Sequence, residues 1–140
     1  VGEAIEHGAR LELGGQQLAE EGFFHAPTVL SDVPVDARCM NEEPFGPIAI
    51  VNAFDTLDDA IAEANRLPYG LAAYAYTGSI ATRQRLARSI ESGMVSFNHH
   101  GVGLPETPFG GVKESGYGSE GGAEAMEAYL NTKFISEAAP

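Results

Sequence analysis

Along this chain the apolar positions alternate between two periods. "ARLELGG" sets Leu11 and Leu13 against Glu12 and closes on Gly14-Gly15, which predicts a short strand and a turn, and "FFHAPTVL" reads as a second strand. "IAIVNAF", residues 48–54, is nearly unbroken apolar sequence of strand length, as a strand buried on both faces requires, so it is expected at the centre of a sheet. The period then changes. Leu57, Ala60, Ile61 and Ala64 recur at helical spacing behind Thr56 and Asp59, a capping-box-like start, until Pro68 and Gly70 stop the segment. "LAAYAYTGS" is again strand-like. Ser79 can cap a helix with Ile80, Leu86, Ala87 and Ile90 inward and Arg83, Arg85 and Arg88 outward, and Gly93 is expected to close it as a left-handed C-cap.

"MVSFN" predicts one more short strand. After it, residues 99–119 hold eight glycines and prolines, too many for regular structure, and a loop of that length in a compact domain is suspected of binding something. A helix over about 122–128 and a last strand, "YLNTKFIS", complete the pattern. Strands alternating with helices argue for an α/β layered architecture with a mostly parallel sheet.

Composition narrows the function. A chain of 140 residues with 44% hydrophobic residues suits one domain, or a piece of a larger one. The piece is the live expectation, because "VGEAIEHGAR" starts inside an amphipathic helical pattern. With 8 Lys+Arg against 20 Asp+Glu, the net charge of -12 repels nucleic-acid phosphates and anionic membranes, so neither is expected as a partner. A lone cysteine, Cys39, and the lack of any apolar run of spanning length or signal-peptide pattern lead to a cytoplasmic expectation.

Several motifs invite chemistry. Gly116, Gly118 and Gly121 match G-x-G-x-x-G, but the preceding "PFGGVKE" is no apolar strand and Glu120, Glu124 and Glu127 follow, so the glycines are read as serving a tight loop. In "NEEPFGPIAIV", a carboxylate such as Glu43 can accept hydrogen bonds from two vicinal ribose hydroxyls, and Phe45 can lie against a flat ring. The alternative is that Glu42 and Glu43 are solvated and Phe45 is core. Cys39, with acids close behind it, reads as a small buried hydrophobe. His99 and His100 are adjacent, and His7 and His25 are distant, so no metal site is expected. Lys113 reads as a loop anchor through backbone contacts.

"NEEPFGPI", "SGMVSFNHHGVGLPETPFGG" and "PFGGVKESGYG", in this order and with the intervening helical segments, resemble the C-terminal part of NAD(P)-dependent aldehyde dehydrogenases over essentially the whole chain. The resemblance implies residues 1–127 as the C-terminal half of a three-layer α/β/α catalytic domain and residues 128–140 as an oligomerisation strand and tail. It further implies Glu43 as the contact to the nicotinamide-side ribose of NAD or NADP, with Phe45 packed beside it. His100, Val102, Leu104 and Phe109 would line the aldehyde pocket, with Asn98 just before them. His100 is read as pocket wall before general base. The closing strand implies a homo-oligomer, a dimer or tetramer.

No catalytic residue is assigned in this chain: the family's nucleophilic cysteine lies farther upstream of the "EEPFGP" motif than the 42 residues before Glu43, and its base and Rossmann segment lie earlier still. The chain alone is therefore expected to be inactive, and the competing class is a non-catalytic structural or oligomerisation module. The loop is similar to that of dehydrogenases of short semialdehydes bearing a carboxylate, although residues 98–108 contain no Arg or Lys to hold one.

Overall fold

The computed structural model describes residues 1–19 and 21–139, which form two compact units, Val1–Thr56 and Leu57–Pro140. In the first, α1 (Gly2–Glu6) leads into β1 (Arg10–Leu13), β2 (Thr28–Ser31), a short α2 (Arg38–Asn41) and β3 (Ile48–Val51). The sheet order is β1-β2-β3, with β1 antiparallel and β3 parallel to β2. The middle strand is thus β2. This corrects the expectation for "IAIVNAF": β3 lies at the edge among the described residues, and its Val51 is 59% exposed.

β2 carries the core because its alternate residues Thr28 and Leu30 are sealed, with Ala4, Ala9, Val33 and Ala37 closing around Leu30. Full burial of such a leucine contributes about 1.5–3 kcal/mol. The Thr28 hydroxyl is not left orphaned: it donates to the Ala26 carbonyl at 2.8 Å and accepts from the Gly15 N–H at 2.9 Å. The predicted turn before it is glycine for a steric reason. Gly14 has φ +74°, and a Cβ there would strike the Pro27 carbonyl. "FFHAPTVL" becomes strand only from Thr28, because Pro27 cannot donate to the ladder.

The second unit holds α3 (Leu57–Asn65), β4 (Tyr69–Gly70), β5 (Ala72–Ala75), α4 (Ile80–Ser89), β6 (Met94–Phe97), β7 (Val112–Lys113) and a 3-10 helix, Glu124–Tyr129. β5 and β6 pair in parallel, and β4 and β7 antiparallel. Ser79 caps α4 as expected, its hydroxyl accepting the Thr82 N–H at 3.2 Å. Of the helix's predicted inward face only Leu86 is buried; Ile80 and Ala87 are exposed and Arg83 is half-buried. Gly93 is not a left-handed cap. It is glycine because a Cβ would collide with the Gly110 carbonyl, where the loop after β6 returns across the strand.

One device recurs at the exits of the two parallel pairs. After β3, the Asn52 side chain accepts the Val33 N–H at 2.8 Å and donates to the Val33 carbonyl at 2.9 Å. After β6, Asn98 does the same to Thr77, at 2.8 and 3.1 Å. Each amide imitates one more rung of the ladder where the strands have ended. The segment 122–128, expected as an α-helix, is largely the 3-10 turn, and residues 130–139 pair with no strand among the described residues, leaving Phe134 and Ile135 exposed. Pro140, the end of the expected tail, lies outside the described residues. Among the described residues no helix is long and apolar enough to cross a membrane.

Candidate functional site

In the first unit the α2–β3 loop presents the acidic pair. The Glu3 carboxylate accepts the Arg38 N–H at 3.2 Å on each oxygen, satisfying a donor that the first turn of α2 leaves open, and Asn41 Nδ2 donates back to the Val35 and Ala37 carbonyls at 2.8 and 2.9 Å. Glu42 then folds onto Arg38, whose Nε donates to it at 2.6 Å; this hydrogen bond and the carboxylate's charge hold the guanidinium above its ordinary pKa. Glu43 makes no ion pair or hydrogen bond among the described residues and faces solvent. The two adjacent glutamates, equal in sequence, are therefore unequal in structure.

Glu43, Pro44, Phe45 and Ile48 line an open groove of about 320 Å³ together with Val1, Cys39 and the Arg38–Glu42 pair. Phe45 is 92% exposed, so its reading as a core residue does not hold. An unpaired carboxylate beside a bare aromatic ring fits a sugar hydroxyl pair and a flat ring chemically. Cys39 is half-buried and packs against the Leu30 cluster, in keeping with a small hydrophobe.

In the second unit the exits of β5 and β6 bring together the loop residues. Tyr74 and Tyr76, two apart, flank the His100 ring, at centroid distances of 5.4 and 5.5 Å, and Tyr76 Oη lies 2.7 Å from His100 Nε2. His99 turns the other way: its Nδ1 accepts the Gly101 N–H of its own loop at 3.1 Å. Val102 and Phe109 are half-buried and Leu104 is exposed. Phe109 is fixed by a two-way backbone bridge to Glu120, both bonds 2.7 Å. Asn98 is occupied by its clasp on Thr77. Tyr76 was not foreseen; its only sequence signal is the i, i+2 tyrosine spacing in "YAY".

The glycine fingerprint resolves as expected. Gly116, Gly118 and Gly121 all have positive φ, but the preceding β7 pairs antiparallel with β4 and no α-helix follows, so the strand-turn-helix cradle for a pyrophosphate is absent among the described residues. Lys113 is indeed an anchor: its Nζ donates to the Asn65 and Leu67 carbonyls at 3.0 and 3.2 Å and pairs with Glu91 at 2.5 Å. Among the described residues no group of three or more His, Cys, Asp or Glu side chains could hold a metal ion.

The family model "Aldehyde dehydrogenase family" matches residues 1–135. The chain belongs to the aldehyde dehydrogenase family. It is 56% identical over 116 residues to a 4-(hydroxymethyl)benzenesulfonate dehydrogenase of Comamonas testosteroni, covering 83% of this chain and 24% of that protein. It is 45% identical to a succinate-semialdehyde dehydrogenase of Paenarthrobacter nicotinovorans, over 98% of this chain and 30% of that one. Among solved structures, an aldehyde dehydrogenase of Brucella melitensis biovar abortus superimposes with a TM-score of 0.91 at 42% identity, over 96% of this chain and 27% of its own. The α/β fold class is that of these aldehyde dehydrogenase structures. The chain thus spans about a quarter to three-tenths of the length of these relatives.

Proposed function

We propose that this chain is the C-terminal portion of an NAD(P)-dependent aldehyde dehydrogenase that oxidises an aldehyde, of the short semialdehyde kind, to a carboxylic acid. The observation that carries the reading is the unpaired Glu43 beside exposed Phe45, within a chain whose family match runs from residue 1 to 135. In this reading Glu43 accepts hydrogen bonds from the nicotinamide-side ribose and Phe45 packs against the sugar and ring, fixing the angle at which the ring meets the substrate. The nicotinamide, when bound, supplies the hydride acceptor. His100, Val102, Leu104 and Phe109 form one wall of the aldehyde pocket. Residues 1–127 belong to the catalytic domain and 128–140 to an oligomerisation strand and tail; the bare Tyr129, Leu130, Phe134 and Ile135 support a partner for it. A soluble cytoplasmic homo-oligomer, dimer or tetramer, is the assembly proposed.

Kinships favour an anionic substrate. Relatives named for succinate semialdehyde, 3-sulfolactaldehyde and 4-(hydroxymethyl)benzenesulfonate share a carboxylate or sulfonate in the compound named. The competing reading, a structural or oligomerisation module without catalysis, draws on the same bare C-terminal segment.

Glu43→Gln in the complete dehydrogenase tests the assignment against its neighbour. Loss of a charge-assisted bond is expected to slow hydride transfer or weaken NAD(P) binding roughly tenfold or more, with the fold unchanged. Glu42→Gln should stay within about twofold, since Glu42 serves Arg38. Equal effects of the two, or none from Glu43→Gln, would overturn the ribose role.

A further inference from the structure

The Tyr76–His100 pair ties the proposed pocket loop to the end of β5 through a polar side-chain contact, and the inference drawn from it rests on the aldehyde dehydrogenase reading above. Three features isolate it. Asn98 clasps Thr77, so the ends of β5 and β6 are locked in register directly beside the pair. His99, the other imidazole of the loop, is turned back on Gly101. Residues 98–108 contain Glu106 but no Lys or Arg, so within this loop the side-chain N–H groups without a partner among the described residues belong to the two imidazoles, His99 at Nε2 and His100, and of these only His100 is held by the tyrosines at the β5 exit.

The direction of the hydrogen bond follows from the two groups. A phenol is a stronger donor than a neutral imidazole, and an imidazole nitrogen is a stronger acceptor than a phenol oxygen, so Tyr76 Oη donates to Nε2 across the 2.7 Å separation. The ring proton is then placed on Nδ1, which makes no hydrogen bond among the described residues. Tyr74 and Tyr76 hold the ring at tilts of 50° and 54°, so its orientation as well as its tautomer is set.

We propose that Tyr76 is a positioning residue that, through His100, selects aldehydes whose far end carries an anionic oxygen acceptor, a carboxylate or a sulfonate. Tyr76 does not touch the substrate; it fixes the nitrogen that donates to it. Substituting Tyr76 by Phe keeps both ring contacts and removes only the hydroxyl.

The test compares, in the complete dehydrogenase, a four-carbon aldehyde ending in a carboxylate with the unbranched four-carbon aldehyde lacking it, for wild type, Tyr76→Phe, His100→Ala and the double variant. Tyr76→Phe should raise KM for the carboxylated aldehyde roughly five- to tenfold, leaving kcat and the KM of the uncharged aldehyde within about twofold. In the His100→Ala background Tyr76→Phe should add nothing, because the hydroxyl acts only through the imidazole. A tail-independent change, no change, or additive effects of the two substitutions would overturn the positioning role while leaving the dehydrogenase reading intact. Wild-type enzyme that oxidises neither aldehyde would overturn that reading and this inference with it.

Discussion

The contrast between Glu42 and Glu43 shows what a single side chain's partner decides. Both are exposed, both lie in "NEEPFG", and only the Arg38 guanidinium separates them, by engaging Glu42 at 2.6 Å. The same logic separates His99 from His100. Leu30 is the counterpart in the core: fully sealed, with Ala4, Ala9, Val33 and Ala37 around it, it leaves a cavity when truncated. Leu30→Ala is expected to cost about 2–5 kcal/mol. Urea unfolding at constant slope would measure it, and a loss below about 1 kcal/mol would show that this cluster is not the unit's core.

At the scale of elements, local rules worked where the cause was local. Ser79 caps α4 because its hydroxyl needs only the N–H three residues on. α3 begins directly after Thr56, and its stop before Pro68 follows from proline's missing donor. They failed where the cause was distant. Gly93 looked like a helix end, yet its constraint is the carbonyl of Gly110, 17 residues later, and no window around Gly93 contains it. Residues 99–119 read as loop, but β7 forms inside them because β4 offers it an edge. The asparagine clasps also escape local reading, since Asn52 and Asn98 each find a backbone partner about 20 residues earlier. Asn98→Ala leaves the Thr77 N–H and carbonyl to water at this exposed site and is expected to destabilise the second unit by about 0.5–1.5 kcal/mol. It should also loosen the Tyr76–His100 contact, raising amide exchange at Thr77 and residues 99–102. Unaltered exchange there would mean the strands hold this register without the clasp.

At the scale of the molecule, the two units carry different parts of the proposed enzyme: the carboxylate for the cofactor's ribose in one, the aldehyde-pocket loop and the bare C-terminal segment in the other. The chain's one cysteine, Cys39, is half-buried against the Leu30 cluster, and the proposed enzyme's nucleophile is expected outside these residues. The 140-residue chain incubated with NAD or NADP and short aldehydes should show no turnover above a protein-free control. Turnover would place a complete catalytic apparatus within these residues and overturn the division of labour proposed here.

By itself the sequence determined the longer elements in order, from β1 through β3, α3, β5, α4 and β6, together with the helix cap, the Gly14-Gly15 turn and the family, because these are written in spacings of two to four residues or in motifs read in order. It also pointed the proposed binding chemistry to two stretches, "NEEPFG" and the loop before "PFGG". Only the tertiary structure decided that β2 rather than β3 lies in the middle of its sheet, that Phe45 stands bare, that Glu43 rather than Glu42 is unpaired, and that Tyr76 holds His100. The physical reason is common to all four. Burial, pairing and hydrogen-bond partnership are properties of neighbours in space, and a strand's rank in a sheet or a carboxylate's freedom depends on residues that no local period brings alongside it.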